Sequence, residues 1–240
     1  MARSGEPVKT TTAKPRTRSA GRGRPTKGAG VDLKEAILDS AEGLFARHGF
    51  YGVTTRQVAS EAGVDTALIH YYFGAKRELF DAVLLRRAEI INRERADAMT
   101  AYEASHPGAM TAEGVIAAFI DPLIERALGG GQGWKNWFAL VAQINITPAW
   151  GGEVMHRFFD PVVRQLVETL GRALPGAAMP DLYWCYQFLT GSMMLTVAET
   201  GRIDQLSDGQ CHASDLDAAR QRLYTYCAGG FEAVVRKSAG

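Results

Sequence analysis

From about residue 31 onward the apolar positions recur with helical spacing, and no run alternates as a strand would. Ile37, Leu38, Ala41, Leu44 and Phe45 stand at i, i+1, i+4, i+7 and i+8, one stripe of a single helix. Asp32, with Glu35 three residues on, is a variant capping box that predicts where this helix opens. Gly49, after His48, predicts its stop. Thr54 and Gln57 have true capping-box spacing and predict a second helix through Val58 to Ala62. Gly63-Val64 predicts a tight turn, and Asp65 is a good N-cap for a third, short helix, TALIHYYF. A fourth, longer helix is expected from near Ala75-Lys76 toward Ala104.

Further helices are expected at 111–128, 133–146, 150–174, 181–202 and 215–238. HisProGly at 106–108, Gly129–Gly131, ProGlyAla at 175–177 and the stretch 203–214 separate them. The expected fold class is therefore all-α: an N-terminal three-helix unit followed by a helical bundle. Helix, three-residue turn, short helix is the layout of a helix-turn-helix. There the second element packs across the third, which lies in the major groove of DNA, wide enough for one α-helix. Thr66, Ala67, Leu68, His70 and Tyr71 are the expected outward positions of the third helix, and Ile69 and Phe73 the inward ones.

TTRQVASEAGVDTALIHYYFGAKRELF, preceded by AILDSAEGLFARHGFYGVTT, resembles the DNA-binding domain of TetR-type transcriptional regulators over about residues 33–80. The likeness combines the apolar pattern, both turns, the aromatic pair before Gly74 and the lysine after it. It implies an all-helical homodimer, most simply a repressor. Such a protein binds a near-palindromic double-stranded operator and releases it when a small ligand enters the C-terminal domain. It also implies roles: Thr55 on phosphate, Arg56 on a base edge such as guanine, Thr66 and Ala67 on bases, Tyr71 and Tyr72 on the backbone, and Lys76 on phosphate. Leu68 belongs to the same reading surface. His70 departs from the family's common tyrosine, and a neutral imidazole there can still donate to phosphate. Taken one at a time, these residues also read as helix caps, core aromatics or a solvated surface charge.

Charge changes the picture at the N-terminus. The chain of 240 residues has a net charge of only +1. Residues 1–30 hold eight Lys/Arg and one acidic residue, a net of +7, while the other 19 Lys/Arg and 25 Asp/Glu leave −6. A basic arm on an acidic body points to an anionic partner, nucleic acid first and an anionic membrane surface second. With almost no large apolar side chains, residues 1–30 are expected to be disordered when free. RGRP, Arg22 to Pro25, resembles an AT-hook core, in which Arg22 and Arg24 would extend along an A·T minor groove. The other reading is a basic tail on phosphates.

Composition, 46% hydrophobic and 22% charged, is that of a globular protein. No apolar run reaches the roughly 18 residues of a membrane span, and no apolar segment follows the basic start as in a secretory signal. Cys185, Cys211 and Cys227 lack CxxC spacing and read as reduced thiols. A cytoplasmic, nucleoid-associated protein without a membrane partner is expected. The expected organisation is 1–30 arm, 31–80 DNA-binding domain and 81–240 domain for ligand binding and dimerisation.

In the bundle, Trp134, Trp137, Phe138, Met155, Phe158, Phe159, Trp184, Phe188 and Met193 are candidates to line an apolar ligand pocket. As stripes at helical spacing they read equally as core. The segment 182–204 resembles the C-terminal domain of PsrA-like, fatty-acid-responsive regulators. That implies a fatty acid, acyl-CoA or another hydrophobic carboxylate as effector, with Lys135, His156, Arg157 or Arg164 as its cationic partner. The last two long helices are expected at the dimer interface, where Gly191-Ser192 and Ala228-Gly229-Gly230 allow close crossings. No P-loop, GxSxG or HExxH is present, so neither catalysis nor a cofactor is expected. Cys211, His212 and Asp215 offer too few ligands for a structural zinc site. The remaining rival is an architectural DNA-binding protein without ligand control.

Overall fold

The computed structural model describes Met1, residues 29–148 and residues 150–238. Among them, ten helices follow in order and no strand occurs. They are α1 (Ala29–His48), α2 (Thr55–Glu61), α3 (Thr66–Phe73), α4 (Lys76–Ser105), α5 (Ala112–Gly129), α6 (Gly131–Asn145), α7 (Gly151–Ala173), α8 (Met179–Val197), α9 (Arg202–Leu206) and α10 (Leu216–Ser238). The all-α expectation holds, with one addition and two boundaries shifted by more than two residues. The separator at 203–214 contains the short α9. The first helix opens at Ala29 rather than at Asp32. Acidic residues are favoured throughout a first turn as well as at its cap, so Asp32 did not mark the start. The eighth helix stops at Val197 rather than 202, where Glu199 and Gly201 both take positive φ and break the helical path.

The apolar stripe of α1 is fully inside: Ile37, Leu38, Ala41, Leu44 and Phe45 are all buried. Each of the larger ones, Ile37, Leu38, Leu44 and Phe45, contributes about 1.5–3 kcal/mol. They pack with Val58 and Ala59 of α2 and with Ile69 and Phe73 of α3, so the three helices share one core. Caps fix their ends. Gln57 N donates to Thr54 Oγ1 at 3.2 Å and Thr54 N donates to Gln57 Oε1 at 2.8 Å, the reciprocal pair of a capping box. Ala67 N donates to Asp65 Oδ1 at 2.8 Å. Gly63, at φ +65°, makes the turn between α2 and α3 that an L side chain would strain.

The long α4 joins this unit to the bundle. It packs on α1 and α3 at one end and on α5 and α7 along its length. Two links hold α4 to the N-terminal unit. Lys76 Nζ donates to Val53 O at 2.7 Å and lies 4.3 Å from the Phe50 ring centroid, pinning the α1–α2 loop. Glu42 of α1, 1% exposed, accepts from Arg87 Nε at 2.6 Å and Nη2 at 3.0 Å, and from Arg86 Nη2 at 3.0 Å. Among the described residues no helix is long and apolar enough to cross a membrane.

Candidate functional site

The third helix presents two different faces. Ile69 and Phe73 are buried; Ala67, His70 and Tyr71 are exposed, Tyr71 at 79%. At 100° per residue the three exposed positions fall on one arc about 100° wide. Leu68, Tyr72 and Thr66 sit on its flanks, half-buried. Leu68 and Tyr72 pack against the core. This corrects the expectation that Leu68 points outward: it precedes Tyr72 by four residues, so both lie on the same inward-leaning flank. Arg56, in the first turn of α2, is exposed and forms no ion pair among the described residues. Thr55, the first residue of α2, is half-buried. A short helix of 8 residues is about 12 Å long, suited to end-on entry into a groove.

Two side chains are partly engaged inside the chain. His70 Nδ1 lies 2.9 Å from Gly74 O, and a carbonyl only accepts, so Nδ1 carries the proton. In the neutral ring Nε2 is then an acceptor. The expected neutral donation from His70 to phosphate is therefore unavailable in this geometry; only the imidazolium offers it. Lys76 spends one of its three donors on Val53 O, and burial lowers its pKa. It is first a loop staple, with two donors left over. Arg22 and Arg24 lie outside the described residues.

This geometry matches known proteins at two levels. The family described as "Bacterial regulatory proteins, tetR family" matches residues 37–83, from the middle of α1 into α4. The family described as "Tetracyclin repressor-like, C-terminal domain" matches residues 117–230. The chain belongs to the TetR family of transcriptional regulators. Members of the TetR family regulate transcription and are not enzymes.

Curated relatives resemble the N-terminal part. The transcriptional regulator BetI of Agrobacterium fabrum is 44% identical over 46 residues, 19% of this chain and 22% of that protein. The regulator RutR of Escherichia coli K12 is 40% identical over 57 residues, 24% of this chain and 27% of that protein. The matches thus span about a quarter of those relatives' length. Solved structures share the whole fold at low identity. A TetR-like transcriptional regulator from Rhodococcus sp. RHA1 covers 86% of this chain and 97% of its own, with TM-score 0.55 and 18% identity. The fatty acid degradation regulator FadR from Bacillus halodurans covers 82% and 95%, with TM-score 0.54 and 14% identity.

In the TetR-family C-terminal domain, a small cavity of about 20 Å³ lies among α4, α5, α6, α7 and α8. Of the nine pocket candidates, Trp137, Met155, Phe159 and Met193 line it. Trp134, Phe138 and Phe158 are buried elsewhere in the core. Trp184 and Phe188 are 61% and 60% exposed, on the outer side of α8. The sequence did not separate these cases, because α8 is apolar on both faces. Leu182, Cys185, Leu189 and Met193 form its inner stripe, and Trp184, Phe188 and Leu195 its outer one.

None of the four expected cationic partners lines the cavity. Each is exposed or half-exposed and faces an outer carboxylate: Lys135 toward Glu199, His156 and Arg164 toward Asp160, Arg157 toward Asp81. The cation at the cavity is Arg95, 4% exposed, with Tyr186 and Thr190 beside it. Arg95 was missed because arginine is rarely buried. Yet a signal existed: Leu84, Ala88, Ile91, Arg95 and Met99 keep one stripe of α4, and only Arg95 breaks its polarity. Cys211, His212 and Asp215 fall in the loop around α9 and α10; among the described residues no group of three such side chains is placed to hold a metal ion.

Proposed function

We propose that the chain is a ligand-responsive repressor. It binds a near-palindromic operator as a homodimer and leaves it when a small hydrophobic effector enters the C-terminal bundle. The observation that carries this reading is the exposed arc of Ala67, His70 and Tyr71 on α3, together with the exposed Arg56 of α2, which forms no ion pair among the described residues. On it, Arg56 reads a base edge, Thr66 and Ala67 meet bases, and Thr55, Tyr71 and the remaining donors of Lys76 hold phosphate. Residues 31–80 are the reading unit, 81–240 bind effector and partner, and the arm at 1–30 adds charge, with Arg22 and Arg24 in the minor groove or on phosphates. Its place of action is the nucleoid, in the cytoplasm.

Homodimerisation is assigned to α8 and α10. Trp184, Phe188, Gly191 and Leu195 form one exposed row on α8; Tyr226, Gly229 and Gly230 are exposed on α10. A Cβ added at Gly191, Gly229 or Gly230 would meet nothing within 4 Å, so the chain itself gives these glycines no packing reason. The row runs into a groove of about 530 Å³ whose lining includes Leu195, Ile203 and Leu206, with Arg202 and Arg222 also on its wall. An apolar surface of this extent on the outside of a bundle calls for a partner, and a two-fold axis there pairs the reading heads for a palindrome.

Effector control follows from α4, which both borders the cavity and carries the N-terminal unit through Lys76 and the Arg86–Arg87–Glu42 cluster. A ligand larger than the cavity displaces side chains of its wall on entering, and acts on the N-terminal unit where that repacking shifts α4. It weakens DNA binding only if it favours the moved state. A fatty acid or acyl-CoA is the effector class we favour, from the likeness of residues 182–204 to PsrA-like regulators. Selection of duplexes from a random library by the full-length protein tests the reading. The expected product is an inverted repeat with half-sites about one helical turn, or a multiple of it, apart. No enrichment, or a motif without two-fold symmetry, contradicts it and favours an architectural binder.

A further inference from the structure

Arg95 is a buried cation with no carboxylate partner among the described residues. Its Nε donates to Phe119 O at 3.1 Å, its guanidinium lies 4.0 Å from the Phe119 ring centroid, and its Nη2 points at Met193 Sδ, 3.1 Å away. Among the described residues no carboxylate pairs with it. The adjacent Glu94 is taken by Arg126 on the outer side of α4 and α5. Burial lowers the Arg95 pKa to about 9, which still leaves it charged at neutral pH. A thioether is a weak acceptor, a poor match for a guanidinium N–H. A charge held this way costs stability, and an apolar side chain of similar size would avoid the cost.

A second polar group at the same place lacks a partner. Thr190 Oγ1 is buried with no hydrogen-bond partner. Thr190 lies one helical turn from Tyr186 and nearly one from Met193 on α8, and all three line the cavity with Arg95. The rest of the wall includes Ile91, Trp137, Phe159 and Val163 and is apolar apart from Asn145, whose Nδ2 donates to Val141 O at 3.0 Å. The cavity thus has one corner rich in donors, Arg95, Tyr186 and Thr190, and a body that is apolar but for Asn145.

We propose that Arg95 is the anchor for a carboxylate on the effector, with the Thr190 and Tyr186 hydroxyls as further donors and the apolar wall around the rest of the molecule. This rests on the reading of the bundle as an effector site and names the chemistry that site accepts: a monocarboxylate with an unbranched or compact apolar body. A carboxylate takes the place of Met193 Sδ on Nη2 and forms the strong, charge-assisted bond that the thioether does not. At about 20 Å³ the cavity has room for little more than one water. The ligand therefore enters by displacing the pliable Met155, Met193 and Met194 side chains, which also line it.

The test uses full-length protein and calorimetric titration with hexanoate, octanoate, decanoate and 3-phenylpropionate, each beside its methyl ester, at concentrations below micelle formation. At least one acid is expected to bind tenfold or more tightly than its ester. Arg95→Met is expected to remove that preference and to raise the melting temperature of the ligand-free protein, which a merely structural arginine would not do. Arg95→Lys, which keeps the charge, and Thr190→Val provide folded variants if Arg95→Met does not fold: the first retains a reduced preference and the second weakens acid binding alone. Equal binding of acid and ester, no binding by any acid, or an unchanged preference in both Arg95→Met and Thr190→Val overturns the anchor. Operator binding, followed in parallel by anisotropy, separates this inference from the reading beneath it. Esters that bind and release DNA overturn the anchor and leave effector control standing. Acids that bind through Arg95 without affecting DNA leave the anchor standing and remove effector control.

Discussion

One buried carboxylate ties the DNA-reading unit to the rest of the chain. Glu42 is nearly inaccessible, while Arg86 and Arg87 retain 18% and 17% exposure. Glu42→Ala takes from Arg87 its one carboxylate among the described residues and leaves Arg86 only the exposed Asp39 and Glu35. We expect a loss of about 3 kcal/mol in urea denaturation, at the lower end for a broken buried pair because the arginines still reach water. A loss under about 1 kcal/mol would mean the cluster is a surface feature. The thiols make a second prediction. Cys227 is buried and its pKa is raised to about 11, chiefly by burial, and Cys185 is also raised by burial; Cys211 is exposed. Mass spectrometry after brief iodoacetamide treatment of native protein at pH 8 is expected to find Cys211 labelled first. Labelling of Cys227 at the same rate would contradict its burial. Residues of this kind were the least legible in the sequence. Glu42 and Arg95 look like any solvated charge until the helices around them are placed, whereas Ile37, Phe45 and Ile69 declared themselves by spacing.

Short helices depend on their ends. The second helix has 7 residues, too few to persist alone. Its capping box and its contact with α1 and α3 hold it. Thr54→Ala is expected to cost about 1 kcal/mol by chemical denaturation and to weaken DNA binding, since α2 positions both Arg56 and α3. Unchanged stability would show that tertiary packing alone fixes α2. Elements were legible where chemistry marks both ends, as Thr54, Gln57, Asp65 and Gly74 mark α2 and α3. They were less legible where the marks are ambiguous. Asp32 sits within the first turns of α1 rather than at its cap, and the break after α8 depends on the positive φ of Glu199, which no residue type announces. Pro122 and Pro161 lie inside α5 and α7, where burial of long apolar faces offsets the lost backbone bond.

At the scale of the molecule the account depends on a two-fold pair. If α8 and α10 form that contact, Leu195→Glu places a charge at a buried apolar centre. The variant is expected to sediment as a monomer with unchanged helical content and to lose operator affinity by tenfold or more. A dimer that persists would move the interface elsewhere. The sequence made the fold class and the helix-turn-helix layout visible, because both rest on periodicity and caps. It left the two faces of α8 unresolved, because aromatic residues on a helix look the same whether they meet a core, a ligand or a second copy.

The central claim is that α3 and Arg56 read sequence. Its most direct test is fluorescence anisotropy with an operator duplex selected by the full-length protein, titrated with random-sequence competitor. Wild-type protein, Arg56→Ala and Tyr71→Ala are compared at several salt concentrations. Arg56→Ala is expected to lose about 1–3 kcal/mol of operator binding and to relax preference at its base. Tyr71→Ala is expected to weaken binding to operator and competitor alike. Operator affinity unchanged in both variants would place the reading surface elsewhere on the molecule.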